Sequence, residues 1–383
     1  VFRGCAALQN AHTVRVTPAE GETQVSRSVE AGVFEPVETE LAIDADDIVL
    51  ATGSRPLALP GNPFAGALID STQALELNTL PSSAVIIGAG AVALEFASLW
   101  NAAGCEVTLL IRKDRVLSTW ERRASMTLTR ELKRRGVNVI ARTAVDRVDT
   151  GANLGATVHY RQGDSDEDRT AYGEVVLAAI GRVPNTDADW FRSSGLKLDE
   201  RGYVTVDGYG RTNLDGVWAL GDITPGHALA HRAFEQGITI AEKIAGADPK
   251  PVIDDTVPQV VFSFPEAASV GLTLDQAKAR EDVVEPKETA YPMLSNARML
   301  MSGEGGSMTV VSGAFANNPD MQVVLGVHIV SPIASDLIAE AEQLVGNRVP
   351  LADAARLIHP HPTFSETLGE ALLKADGRPL HTR

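Results

Sequence analysis

Apolar runs alternate with polar, helix-period stretches from about residue 47 to residue 181, and this alternation predicts a parallel sheet. DIVLATGS (47–54) reads as a short strand ending in a small-residue turn. After a Pro-rich connector (56–63), a helix-like stretch (71–78) and Pro81, AVIIG (84–88) reads as a buried strand. AGAVALEFASLWNAAG (89–104) predicts a helix with a glycine stop, and EVTLLI (106–111) a second buried strand. A long amphipathic helix (121–135), Gly136 and the strand VNVIA (137–141) follow. Strand, helix, strand, helix, strand in this order indicates a doubly wound parallel sheet. The polar stretch 149–173 predicts a hairpin, and EVVLAAIG (174–181) a further strand. Residues 203–222 predict a strand pair ending in GVWALGD, with a helix over 228–246 and a linker, PKPVIDD (249–255). Beyond it, QVVFSF (259–264) and VVLGVHIV (323–330) mix with helices near 333–346 and 365–375, as in an α+β module.

Composition narrows the partners. The 383 residues carry 34 Lys and Arg against 50 Asp and Glu, a formal net charge of −16. Phosphate backbones and anionic membranes need a basic face, so neither nucleic acid nor membrane is an expected partner. No run approaches the eighteen or so apolar residues of a membrane span. The two cysteines, Cys5 and Cys105, exclude a disulfide scaffold and a Cys-rich zinc site, and low cysteine use fits a reducing cytoplasm.

The clearest chemical motif is GAGAVALE (88–95), set between a buried strand and a helix. It matches G-x-G-x-x-A. Gly88 permits the tight turn, Gly90 lets a pyrophosphate approach the backbone, and Ala93 permits close helix–strand packing. The helix N-terminus would offer its free N–H groups to the phosphate. A carboxylate for the ribose 2′-hydroxyl is missing from the end of the next strand, which continues as Arg112, Lys113, Asp114, Arg115. Positive charge there would suit a 2′-phosphate; a solvated basic turn is the plainer reading. IVLATGS (48–54) and TNLDGVWALGD (212–222) are also strands arriving at glycine, and Asp222 is placed to accept a cofactor hydroxyl.

ATGS, GAGAVALE, AIGRVPNT (179–186), TNLDGVWALGD, ALAH (228–231) and HPHPTFSE (359–366), in that order, resemble the flavin-dependent pyridine nucleotide–disulfide oxidoreductases. The ending is most similar to that of the dihydrolipoamide dehydrogenases. The resemblance implies an α/β protein with two doubly wound nucleotide-binding domains, the first truncated at its N-terminus, and a C-terminal α+β dimerisation domain. It divides the chain into 1–70 (FAD domain), 71–190 (NAD(P) domain), 191–252 (return to the FAD domain) and 253–383 (interface). FAD and NAD(P) are the implied cofactors. A homodimer acting on a lipoyl-bearing protein or a small disulfide is the implied assembly.

Carried over by position, Thr52, Gly53 and Ser54 would lie near FAD, Asp222 would hold its ribityl chain, and Ala228, Leu229, Ala230 and His231 would pass the flavin ring. Gly88, Gly90, Ala93, Glu95, Val145 and Gly181 would line the nicotinamide site, with Arg112 at its basic edge. The residue matching Glu95 pairs with a lysine in the family. The family's opening GxGxxG, its CxxxxC disulfide and that lysine have no match here, and Cys5 and Cys105 occupy neither cysteine position. The expectation is therefore a piece that begins inside the FAD domain.

In the family the histidine five residues before the glutamate is the acid–base, which selects His361 and Glu366. Histidine changes protonation near neutral pH, and a carboxylate on its far nitrogen fixes the tautomer. His359 is expected to be structural, His361–Pro362 is a candidate cis bond, and no third ligand accompanies the pair for a metal. Alternatives to a dihydrolipoamide dehydrogenase-like enzyme are an NADPH-dependent glutathione- or mycothione-type reductase, a flavin quinone reductase, and a non-catalytic nucleotide-binding and dimerisation fragment.

Overall fold

The computed structural model describes residues 1–18, 35–37, 39–151 and 155–382. The chain forms two compact units, Val1–Arg55 with Arg182–Asp254, and Pro56–Gly181 with Asp255–Arg383.

In the second unit five parallel strands form one sheet, in the order Asn138–Ala141, Glu106–Ile111, Ser83–Ile87, Val175–Ala178, Leu68–Ile69. Parallel strands covered on both faces read as continuous apolar runs, which is why these segments stand out in the sequence. Alternate side chains serve two cores. Ile86, Leu109 and Leu177 meet Ala93, Leu94 and Trp100 of the helix Ala91–Ala102, and Leu128 and Leu132 of the helix Arg122–Arg134. Val85, Leu110 and Val176 meet Val158 and Tyr160 on the opposite face. That face is covered by a three-stranded antiparallel sheet, Thr143–Thr150, Ala156–Gln162 and Arg169–Gly173. The hairpin expected over 149–173 thus starts earlier and gains a strand.

The chain runs outward from Ser83–Ile87 through Glu106–Ile111 to Asn138–Ala141, then returns to the other side of Ser83–Ile87 as Val175–Ala178. The direction of winding therefore reverses between Ser83–Ile87 and Val175–Ala178. In such sheets the crevice beyond the carboxyl ends of the two strands flanking the reversal is where ligands bind.

The C-terminal part of this unit is the expected α+β module. Its antiparallel sheet has the order Gln259–Val261, Glu266–Gly271, Asn318–Ser331, Ser307–Phe315, Val283–Pro292. The helices Ala334–Gly346 and Glu366–Ala375 bury Leu337, Ile338, Leu368 and Leu372 against Val310 and Ile329. On the other face, Ala267 and Val330 join the core beneath the parallel sheet. Glu121 caps the helix Arg122–Arg134, accepting from the N–H groups of Arg123 (2.5 Å) and Ala124 (2.7 Å), and also accepts from the Thr309 hydroxyl (3.3 Å).

In the first unit the strand Ile48–Leu50 lies parallel to Val217–Ala219. Beside this pair are the antiparallel strands Cys5–Asn10, Thr13–Thr17 and Leu41–Asp44, and the helix Ala230–Ile244. Leu8, Ile48, Leu50, Phe191, Val204, Val217 and Ile223 form the core. The strand pair expected over 203–222 is not a ladder. Only single bridges, Leu198↔Val204 and Arg211↔Trp218, accompany the strand Val217–Ala219. Asp199 and Asp207 explain why: each carboxylate accepts two local backbone N–H groups, from Arg201 and Tyr203 and from Tyr209 and Arg211. Such turns compete with strand pairing.

Candidate functional site

The GAGAVALE turn lies at the reversal point of the parallel sheet. Gly88 has φ +143, a conformation that favours glycine, and a Cβ there would stand 2.2 Å from the Ala179 carbonyl. Ala93 is fully buried, 3.4 Å from that same Cβ position. Gly90 is the N-cap of the helix Ala91–Ala102; no side chain caps it, and a Cβ at Gly90 would meet nothing within 4 Å. An uncapped helix N-terminus under open space suits a pyrophosphate. Gly181, with φ +147, follows Val175–Ala178 on the other side of the crevice. Val145 lies in the strand Thr143–Thr150 and packs partly buried beneath the sheet. Glu95 does not face the turn: its carboxylate accepts the Phe262 N–H at 2.9 Å. Arg112 is exposed just beyond Glu106–Ile111, beside Gly88, whose N–H donates to the Leu110 carbonyl.

In the first unit, Thr52, Gly53 and Ser54 follow the strand Ile48–Leu50, and Asp222 follows its neighbour Val217–Ala219. The Ser54 hydroxyl donates to Asp222 Oδ2 at 2.5 Å and accepts from Arg182 Nε at 2.7 Å. Asn185 is tied to this turn by three bonds: its N–H to the Gly53 carbonyl, its amide to the Thr52 carbonyl, and its own carbonyl to the Thr52 hydroxyl. Arg182 and Asn185 lie within AIGRVPNT, yet nothing in that string singles them out as anchors of Ser54 and Thr52. Ala228, Leu229, Ala230 and His231 lead into the helix Ala230–Ile244, with Leu229 as its N-cap.

HPHPTFSE forms two histidine–glutamate pairs. His361 is exposed, with 72% of its side chain open to solvent, and its Nδ1 lies 2.8 Å from Glu366 Oε1. Glu366 Oε2 accepts the Thr363 N–H at 2.8 Å. Desolvation would raise the Glu366 carboxyl, but the Thr363 N–H, the His361 bond and the charges of both histidines together hold it below its ordinary value. The His361–Pro362 peptide is cis. His359 is largely buried, with Nε2 2.9 Å from Glu340 Oε1. The Glu340 bond raises this imidazole above its ordinary value against the opposing effect of burial. Glu340 lies nineteen residues before His359, on another helix, with no local signal to announce the pairing.

The chain matches the pyridine nucleotide-disulphide oxidoreductase family over residues 3–237 and that family's dimerisation domain over 257–372. It belongs to this family. Curated relatives include a dihydrolipoyl dehydrogenase of Cupriavidus necator, 36% identical over 342 residues, covering 88% of this chain and 70% of the relative. Another, from Geobacillus stearothermophilus, is 37% identical over 339 residues, covering 87% and 69%. Among solved structures, LpdA from Mycobacterium tuberculosis superposes with a TM-score of 0.81 at 27% identity, covering 97% of this chain and 76% of its own. The fold expected from the sequence, α/β nucleotide-binding domains with a C-terminal dimerisation domain, is therefore the fold of the family.

The family's cofactor chemistry fits the residues present. The Gly88–Ala93 turn offers uncapped N–H groups, and Asp222 retains an oxygen, Oδ1, with no donor among the described residues. Neither cysteine offers a reactive thiol pair. Both are free, and the buried Cys105 thiol is pushed up to about 11, first by desolvation and then by Glu174 and Glu106. Among the described residues no cluster of His, Cys, Asp and Glu could hold a metal ion, and no helix is long and apolar enough to cross a membrane.

Proposed function

We propose that this protein is a homodimeric flavoprotein oxidoreductase that exchanges an electron pair between a dithiol–disulfide substrate, a dihydrolipoyl group first of all, and NAD(P), in the cytoplasm. The four-part division of the chain at 70, 190 and 252 belongs to the same proposal. One observation carries it: His361 is solvent-open, yet held by a carboxylate on one nitrogen only.

The chemistry follows from that arrangement. Ionised Glu366 can only accept, so Nδ1 of His361 carries the hydrogen and Nε2 presents a lone pair outward. A substrate thiol would give its proton to Nε2. The thiolate is the form that attacks a disulfide sulfur, and Glu366 stabilises the imidazolium that results. Overall, dithiol and NAD(P)+ become disulfide, NAD(P)H and a proton. FAD, when bound, supplies the two-electron carrier between the thiol and nicotinamide sides. Asp222 would accept a hydroxyl of that group, Thr52, Gly53 and Ser54 would border it, and Ala228 to His231 would run past it. Gly88, Gly90 and Gly181 would shape the nicotinamide side. The exchanging cysteine pair that this reading requires is neither Cys5 nor Cys105.

His361→Gln tests the reading. Turnover of dihydrolipoamide is expected to fall by about two to four orders of magnitude, with NAD(P)H binding unchanged. Unchanged turnover would refute the assignment of the acid–base.

A further inference from the structure

Asn296 ties the HPHPTFSE loop to a segment far from it in the chain. It lies between the strand Val283–Pro292 and the short helix Ala297–Ser302, of which it is the N-cap. Its Oδ1 accepts the Met299 N–H at 3.1 Å, and its Nδ2 donates to the Thr363 carbonyl, 67 residues on, at 3.1 Å. Asn296 is buried, so water competes little for either bond. Asp and Ser cap a helix as well as Asn does. An ionised Asp has no donor, however, and a Ser hydroxyl offers one atom where the planar amide offers two that point different ways. The helix does not choose among the three; the Thr363 carbonyl does.

Thr363 uses every polar group it has. Its N–H donates to Glu366 Oε2 at 2.8 Å, and its hydroxyl donates to the Pro360 carbonyl at 2.6 Å and lies 2.9 Å from the Ser365 hydroxyl. Phe364, the next residue, lies beneath the Arg298 guanidinium at 5.6 Å, two positions after Asn296. One short segment thus holds two consecutive residues of the loop. The Thr363 carbonyl and N–H flank the same Cα, and each belongs to a planar peptide, so anchoring the carbonyl limits where the N–H can point. Glu366 Oε2 follows that N–H, while Oε1 meets His361 Nδ1 at 2.8 Å. His361 has no other hydrogen-bond partner among the described residues, so Glu366 sets the direction of its ring.

We propose that Asn296 is a positioning residue for the acid–base pair: it holds Thr363 so that Glu366, and through it the His361 ring, stands in the working direction. The inference rests on the acid–base reading of His361 and deepens it. Asn296 touches neither the imidazole nor a substrate thiol. Its contribution is orientation, because small displacements of a proton-transferring group lower the rate steeply.

The test uses Asn296→Ser, which keeps a good N-cap and loses the reach to Thr363. Asn296→Asp is the second variant, keeping the cap while turning an oxygen toward the carbonyl. Amide hydrogen exchange in both is expected to speed up at Thr363 by at least about tenfold, with Met299 still protected. The kcat for dihydrolipoamide is expected to fall about tenfold, with KM for NAD(P)+ unchanged. In a Glu366→Ala background, Asn296→Ser is expected to change kcat by less than about twofold, because nothing is left to position. A tenfold loss that persists in that background would make Asn296 a structural cap and overturn the proposal. So would loss of Met299 protection in both variants, unchanged Thr363 exchange, or unchanged kcat. If His361→Gln also leaves turnover unchanged, the acid–base reading itself fails. If His361→Gln abolishes turnover and Asn296→Ser does not lower it, only the positioning role falls.

Discussion

His359 and His361 stand two residues apart and each holds a glutamate, but their surroundings give them opposite work. His359 is walled in: a Cβ on Gly369 would stand 2.5 Å from its Nδ1, and Glu340 takes the other nitrogen. Its raised value means that the charged pair stabilises the fold fully below the ordinary histidine value of 6.5 and is lost as pH rises through the higher folded value. His359→Gln should therefore destabilise by roughly 1 kcal/mol at pH 6 and by less at pH 9, measured by urea unfolding at both. A larger loss at pH 9 would contradict the pairing. His361 has an open face and one partner. Glu366→Gln keeps an acceptor near Nδ1 but removes the charge that favours the imidazolium. Dithiol turnover should drop by about 10- to 100-fold, while nucleotide affinity stays the same. The five-residue spacing of His361 and Glu366 is visible in the sequence because it is local. The partner of His359 is not, because two helices must pack before Glu340 arrives.

At the scale of elements, the turn between Ser83–Ile87 and Ala91–Ala102 separates two uses of glycine. Gly88→Ala would put a methyl into the Ala179 carbonyl at a positive φ, at a cost of about 3 kcal/mol or more. Gly90→Ala meets open space at an ordinary φ of −89, so thermal stability should change by less than about 1 kcal/mol. Its added methyl should nonetheless exclude a pyrophosphate, and loss of NAD(P)H binding without a fall in Tm is the expected signature. The buried strands here are legible in the sequence because continuous Val, Ile and Leu runs permit little else at that length. The stretch 203–222 misleads for a physical reason. Val204 and Val206 alternate as a strand would, but Asp199 and Asp207 turn the backbone on either side. The nearness of Arg142 to Lys113 is likewise invisible in the sequence, because it comes from pairing between strands far apart in the chain.

Across the whole molecule, a buried neutral imidazole in the C-terminal sheet makes stability sensitive to acid. His328 is 1% exposed; its Nε2 lies 3.2 Å from the Leu272 carbonyl and its Nδ1 2.7 Å from the Ser269 hydroxyl. A carbonyl only accepts, so Nε2 carries the hydrogen, Nδ1 accepts from Ser269, and the neutral ring is satisfied. Desolvation lowers its value, outweighing the charge of Glu121 and the Leu272 bond. The unfolded chain thus takes up a proton near 6.5 that the folded chain refuses, and stability falls as pH drops below that value. Stability measured from pH 6.5 downward should decline more steeply than in His328→Gln, by up to ~1.4 kcal/mol per pH unit. Identical slopes would rule His328 out as the source. Together with His359, this places the most stable range near neutrality.

The second unit is written in two instalments, Pro56–Gly181 and Asp255–Arg383, with Arg182–Asp254 of the first unit between them. On a ribosome adding about 5–20 residues per second, the parallel sheet emerges on the order of 4–15 s before Asp255 appears. During that interval Ala267 and Val330 are missing from its core, and Glu121 and Thr127 lack Thr309 and Ser307. The nascent protein therefore carries a half-finished apolar surface for seconds, which makes this interval the step at which a chaperone would have most to protect.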